Sequence, residues 1–162
     1  MRIDRKLGFA ALVAALVLVP LGLIAWNEYR LSSGERILLH VQPVDPNDPF
    51  RGEYVDLTYP ISRLQTRAAR SGTTVYVPLR KAGQAWTGDL VIFEKPDSGT
   101  FIRGRVTGSG IHYGIETFFV EEGEARRYER AIAAGTLYAE VVLDDDGDAQ
   151  LDELVIEGEA EA

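Results

Sequence analysis

The densest run of chemically capable side chains lies between Pro43 and Tyr59, where Asp45, Asp48, Arg51, Glu53 and Asp56 stand among Phe50, Tyr54 and Tyr59. Carboxylates around one guanidinium could line a cleft that binds a small ligand or performs acid–base chemistry. Such a cleft requires a concave pocket holding at least two of these side chains, with one carboxylate pKa displaced. The same residues fit a docking loop, because aromatic and Arg side chains concentrate at binding hot spots. The plainer alternative is structural. In it Asp45 caps exposed amides, Arg51 pairs with a carboxylate, Tyr59 packs in the core, and Gly52 serves a backbone turn. Proline-rich turns need such fixing, and the residue types alone favour this role.

Elsewhere the chemistry thins out. Asp144, Asp145, Asp146 and Asp148 around Gly147 suggest calcium, yet an EF-hand loop starting at Asp144 needs glycine where Ala149 stands and glutamate where Val155 stands. An acidic hairpin turn explains the same residues. Gly104, Gly108, Gly110 and Gly114 have neither the spacing nor the strand-to-helix context of a phosphate loop and read as turn and bulge glycines. His40 and His112 are the two histidines, too few for a His-based metal site, and His112 reads as a hydrogen-bonded surface residue. Ser62, Ser71, Ser98 and Ser109 carry no nucleophile-elbow signature. No cofactor or metal is expected, and the reading leans away from an enzyme.

The elements that must position the Pro43–Tyr59 segment are short. Ile37, Leu39 and Val41 alternate with Leu38, His40 and Gln42, a strand that ends at Pro43. Glu53 to Tyr59 is a second strand, with Val55, Leu57 and Tyr59 on one face and Tyr54, Asp56 and Thr58 on the other. Pro60 can open a short helix over Ile61 to Ala69. Further strands are expected over Thr74 to Arg80, Ala85 to Lys95, Thr100 to Thr107 and Ile111 to Val120. Pro78 marks the first of these as an edge, and Ser98-Gly99 turns a hairpin between the second and third. Glu124 to Ala134 is an amphipathic helix closed by Gly135. A last hairpin pairs Thr136 to Leu143 with Gln150 to Ile156. The sum is an α+β domain with a mainly antiparallel, barrel-like sheet and one or two helices.

Leu7 to Trp26 is uncharged throughout and, at about 1.5 Å per residue, matches the ~30 Å hydrocarbon layer. It exceeds the usual apolar region of a cleaved signal, about 7–15 residues, and lacks an Ala-x-Ala site at its end. An uncleaved transmembrane helix is therefore expected over 7–26, with 1–6 in the cytoplasm because Arg2, Arg5 and Lys6 outweigh Asp4. Residues 27–35 then form a short polar tether or a fraying helix end, 36–158 an extracytoplasmic domain, and 159–162 a disordered tail.

The 162 residues carry 17 basic and 25 acidic side chains, a formal charge of -8, and no cysteine. Mean hydropathy is -0.07. These values exclude a disulfide scaffold, a Cys-based metal or redox site, and a generally basic nucleic-acid binder. Three of the basic residues and one acidic residue precede Trp26, so 14 basic and 24 acidic remain beyond it, about -10 by formal count. That charge opposes nucleic acid and anionic bilayer surfaces alike.

Gly52, Glu53, Tyr54, Leu57 and Tyr59 reproduce, with Glu53 in place of Asp, the pattern that names the GDYXXLXY proteins, which this sequence resembles. Pro43, Asp45, Pro46 and Arg51 resemble the family's lead-in, and Tyr113, Gly114, Ile115 and Glu116 with Phe119 and Val120 its second block. The resemblance implies a bacterial protein of the cytoplasmic membrane, without an assigned reaction, that assembles with a polytopic membrane partner. It transfers no catalytic residue. The expectation is an accessory module that docks through Asp45 to Tyr59; the alternative is an envelope enzyme or ligand-binding domain using Asp45, Asp48, Glu53 or Asp56 with Arg51.

Overall fold

The computed structural model describes residues 5–43, 54–66, 69–121 and 123–158; within the first helix, side chains are described at 8, 9, 12–26 and 33. The chain divides into two compact units, Met1–Ser33 and Gly34–Ala162.

The first unit is one helix, α1 (Arg5–Ser33), of 29 residues with Pro20 inside it. At 1.5 Å per residue it is about 43 Å long. The large apolar side chains described along it, from Phe9 to Trp26, are exposed. Among the described residues no helix is long and apolar enough to cross a membrane. Of the polar stretch, residues 27–33 continue α1. Glu28, Arg30 and Leu31 are good helix formers, and Gly34 alone separates α1 from the first strand.

Among the described residues, the second unit is α+β with three mainly antiparallel sheets. The largest contains β1 (Glu35–His40), β4 (Arg80–Ala82), β5 (Ala85–Thr87), β9 (Leu137–Leu143) and β10 (Ala149–Ile156), in the order β10-β9-β1-β5-β4. β1 lies antiparallel to β9, from Glu35 opposite Leu143 to His40 opposite Tyr138, and parallel to β5, with Leu39 opposite Trp86. A two-stranded ribbon joins β2 (Tyr54–Asp56) to β8 (Thr117–Phe119). The third sheet runs β3 (Thr74–Pro78), β6 (Phe101–Thr107), β7 (Gly110–His112). Apolar residues from all three sheets meet in one core that includes Ile37, Leu39, Val55, Tyr59, Val75, Ile102, Ile111 and Val141.

Local pattern explains much of this. The alternation of Ile37, Leu39 and Val41 sends all three inward, as period-2 spacing requires. Pro78 ends an edge strand of its sheet. The second helix, α2 (Ala125–Ala134), buries Ala131 and Ile132 and stops at Gly135. Gly135 is left-handed at φ 71°, which lets its N–H reach the Ile132 carbonyl and the Thr136 N–H the Ala131 carbonyl.

Four expectations are corrected. There is no closed barrel among the described residues: the strands divide into separate sheets with β10, β4, β3 and β7 at their edges. The helix expected over Ile61 to Ala69 is only a 3-10 turn, Pro60–Arg63, after which Leu64 is extended. Tertiary contact overrides propensity there, because the Ile61 carbonyl that would continue an α-helix accepts the Tyr113 hydroxyl at 2.8 Å. The Ser98-Gly99 hairpin does not form. β5 is taken up by β1 and β4, while β6 pairs with β3 and β7. Finally, Ile111 to Val120 is two strands rather than one, broken by the turn through Gly114, which is left-handed at φ 85°.

Candidate functional site

Period 2 on β2 and its continuation splits the motif into two faces. Val55, Leu57 and Tyr59 point into the core and are fully or almost fully buried, while Asp56 is exposed and Tyr54 half-buried. β8 receives this strand: Tyr54 lies opposite Phe119, Val55 opposite Phe118, and Asp56 opposite Thr117. The Leu57 amide continues the ladder by donating to the Glu116 carbonyl at 2.7 Å, and Gln42 bridges to Thr58 from the other side.

Two tyrosines lock the segment. The Tyr59 hydroxyl donates to the Ile115 carbonyl at 2.7 Å, and the Tyr113 hydroxyl donates to the Ile61 carbonyl at 2.8 Å. Each ring thus crosses to the segment that supplies the other. Glu116 closes the turn between them by accepting from the Tyr113 and Gly114 amides at 2.6 and 2.9 Å. The two sequence blocks, Tyr54 to Tyr59 and Tyr113 to Phe119, are therefore one interlocked unit. Leu57 and Tyr59 both lie in the core.

Burial pushes both phenols above their ordinary range, with the nearby Glu116 carboxylate adding to the effect. An unfolded tyrosine loses its proton near pH 10, whereas these two keep theirs when folded. Their contribution to stability is fully present below about pH 10 and is lost as pH rises beyond it, since the unfolded chain then binds fewer protons. Tyr113→Phe is expected to cost about 1 kcal/mol at neutral pH through the lost hydrogen bond. It should also flatten the alkaline fall in stability by about one proton's worth. Denaturant unfolding of the full chain in non-ionic detergent at several alkaline pH values would measure both, and an unchanged slope in the variant would exclude Tyr113 as a source of it.

The remaining candidates are distributed differently. Asp45, Asp48, Arg51, Gly52 and Glu53 lie outside the described residues. Asp56 lines neither of the two grooves described in this domain, one bounded by Arg36, Lys81, Trp86 and Glu140, the other by Arg103, Arg105, His112 and Asp148. At the exposed end of the motif, Tyr54 meets Phe119 edge-on, with ring centroids 6.3 Å apart. Phe119 is 76% exposed.

The acidic hairpin between β9 and β10 is a turn fastened by its own side chains. Asp144 Oδ1 accepts from the Asp146 and Asp148 amides at 3.0 and 2.8 Å. Lys95 reaches Asp146 at 2.7 Å, and Arg103 reaches Asp148 at 2.5 Å. His40 Nε2 lies 3.0 Å from the Gly135 carbonyl oxygen at the end of α2. His112 Nε2 lies 3.3 Å from the Ser109 hydroxyl.

Sequence reasoning missed one cluster. Thr74, Arg105 and His112 occupy a single cross-strand row, Thr74 opposite Arg105 and Arg105 opposite His112. The spacing of Arg103 and Arg105 on β6 was the available signal, since residues two apart share a face; their neighbours across the sheet depend on register, which the local sequence does not state.

A family model described as "GDYXXLXY protein" matches residues 16–154. No curated protein and no solved structure matches the chain.

Proposed function

Since the chain belongs to the GDYXXLXY family, we propose that it is a single-pass protein of the bacterial cytoplasmic membrane whose α+β domain lies outside the cytoplasm and docks on an integral, polytopic membrane protein. The reading is of an accessory module rather than an enzyme. Its anchor is the apolar stretch of α1, uncharged from Leu7 to Trp26 and preceded by Arg2, Arg5 and Lys6.

The observation that carries the docking reading is the exposed Phe119, packed edge-on against the half-buried Tyr54 on the β2–β8 ribbon and beside the exposed Asp56. Exposed aromatic groups with a polar rim are the pattern of a binding hot spot. A protein surface fits better than lipid as the occupant, because a domain of about -10 formal charge is repelled by an anionic bilayer surface.

A photo-crosslinker placed at Phe119, with another at the exposed Asp97 as a control, tests this in native membranes. The chain is expected to remain in the pellet after an alkaline carbonate wash. Only the Phe119 probe should form an adduct, with an integral membrane polypeptide, and Tyr54→Ala should lower its yield several-fold. Release of the chain by the wash refutes the anchor. Equal adducts at both positions, or none at Phe119, refute the docking surface.

A further inference from the structure

The groove on the outer face of the β3–β6–β7 sheet has a volume of about 390 Å³ and is lined by Thr74, Arg103, Arg105, His112, Gly114 and Asp148, among others. Its cationic character runs against a domain that is otherwise strongly acidic. Two guanidinium groups face one carboxylate, and that carboxylate is already held by Arg103, with N to O at 2.5 Å. Arg105 is exposed and, among the described residues, has no ion-pair partner. The acidic hairpin is close by, since the Arg103 amide donates to the Gly147 carbonyl at 2.7 Å, but Lys95 and Arg103 engage two of its carboxylates.

Register makes this more than a charged patch. Thr74, Arg105 and His112 lie directly opposite one another on three adjacent strands, and such neighbours stand about 5 Å apart on one face. A hydroxyl, a guanidinium fork and an imidazole are thereby set in one row, with the Arg103 guanidinium next along β6 on the same face. The Ser109 hydroxyl meets one nitrogen of the His112 ring, and the other has no protein partner among the described residues. The groove also rests on a firm floor. A side chain at Gly104 would collide with Ile111 and with the Tyr113 ring, at 2.8 Å from its Cε1. Tyr113 is in turn tied to Ile61.

We propose that this groove binds a phosphoryl group, with Arg105 as the principal charge and Thr74 and His112 as flanking hydrogen-bond donors. A guanidinium presents its N–H groups in a fork that fits two oxygens at once. A tetrahedral phosphoryl group offers further oxygens out of that plane, where donors on the two flanking strands can meet them. A planar carboxylate offers only two. The site is distinct from the Tyr54–Phe119 surface, and neither depends on the other.

The experiment titrates inorganic phosphate into the full chain in non-ionic detergent micelles, following the His112 and Arg105 resonances by NMR. A parallel series uses micelles doped with phosphatidic acid. Saturable shifts are expected, with affinity at least about tenfold weaker in Arg105→Gln, the loss that follows from removing one charge-assisted contact. Arg80→Gln, which removes an exposed positive charge away from the groove, should leave affinity unchanged. A response to inorganic phosphate identifies a soluble ligand; a response confined to the doped micelles identifies a lipid headgroup. Absence of saturation in both series overturns the proposal, as does equal weakening by Arg105→Gln and Arg80→Gln. Arg105 is exposed, so its replacement leaves the fold intact to be tested.

Discussion

Tyr59→Ala is expected to remove most of the folding stability of the domain. The ring is completely buried in the core, so truncation opens a cavity of aromatic size, which costs about 3–5 kcal/mol. The same change strips the Ile115 carbonyl of the hydroxyl that donates to it at 2.7 Å, adding about 1–3 kcal/mol if no water replaces the donor. A domain of this size has about 5–15 kcal/mol in all, so the sum approaches global unfolding. Tyr59→Phe keeps the ring and loses only the hydrogen bond, so its cost should stay near the lower figure. Denaturant midpoints of the full chain in detergent would rank the two. If alanine and phenylalanine cost the same, packing is not what the motif tyrosine supplies.

The second large effect is expected at Gly110, where β7 begins. Its φ of +140° lies in a region that side chains rarely adopt, and a Cβ there would run into the Ser62 carbonyl oxygen. That obstacle is backbone, fixed within the 3-10 turn, and cannot swing aside as a side chain would. Gly110→Ala therefore combines about 1–3 kcal/mol of backbone strain with about 1–3 kcal/mol of overpacking. Gly108, two residues earlier, has open space around its Cβ position and no positive φ. Its replacement by alanine should stay within about 0.5 kcal/mol of the parent. Thermal melting of the pair decides the matter: similar midpoints for both variants would mean that β7 shifts freely over the turn beneath it.

The alternation of Val55, Leu57 and Tyr59 against Tyr54, Asp56 and Thr58 was legible in the sequence, and the structure divides these side chains between core and surface along that line. The strand through Ile37, the helix ended by Gly135 and the closing hairpin were legible for the same reason: period and cap chemistry are local. What failed was partner choice. Trp86 sits in a run that looks like half of a hairpin with Thr100 to Thr107, yet it lies beside Leu39 in a parallel pair. Ile61 begins a plausible helix, but its carbonyl is claimed by Tyr113, 52 residues away. The resemblance placed Tyr113 to Phe119 in a second block without saying that it pairs with the first. Thr74, Arg105 and His112 were illegible as a group because no spacing along the chain encodes a row across three strands.

The position of β1 at the centre of the five-stranded sheet also sets a schedule. Its antiparallel neighbour, β9, begins at Leu137, so roughly 100 residues must still be made before that edge can be covered, about 5–20 s at ordinary rates of synthesis. Throughout that interval Ile37, Leu39 and Val41 have no β9 to cover them. A nascent chain halted before Leu137 cannot finish the sheet its first strand begins, so β1 is the segment in which chaperones and proteases would meet an incomplete molecule.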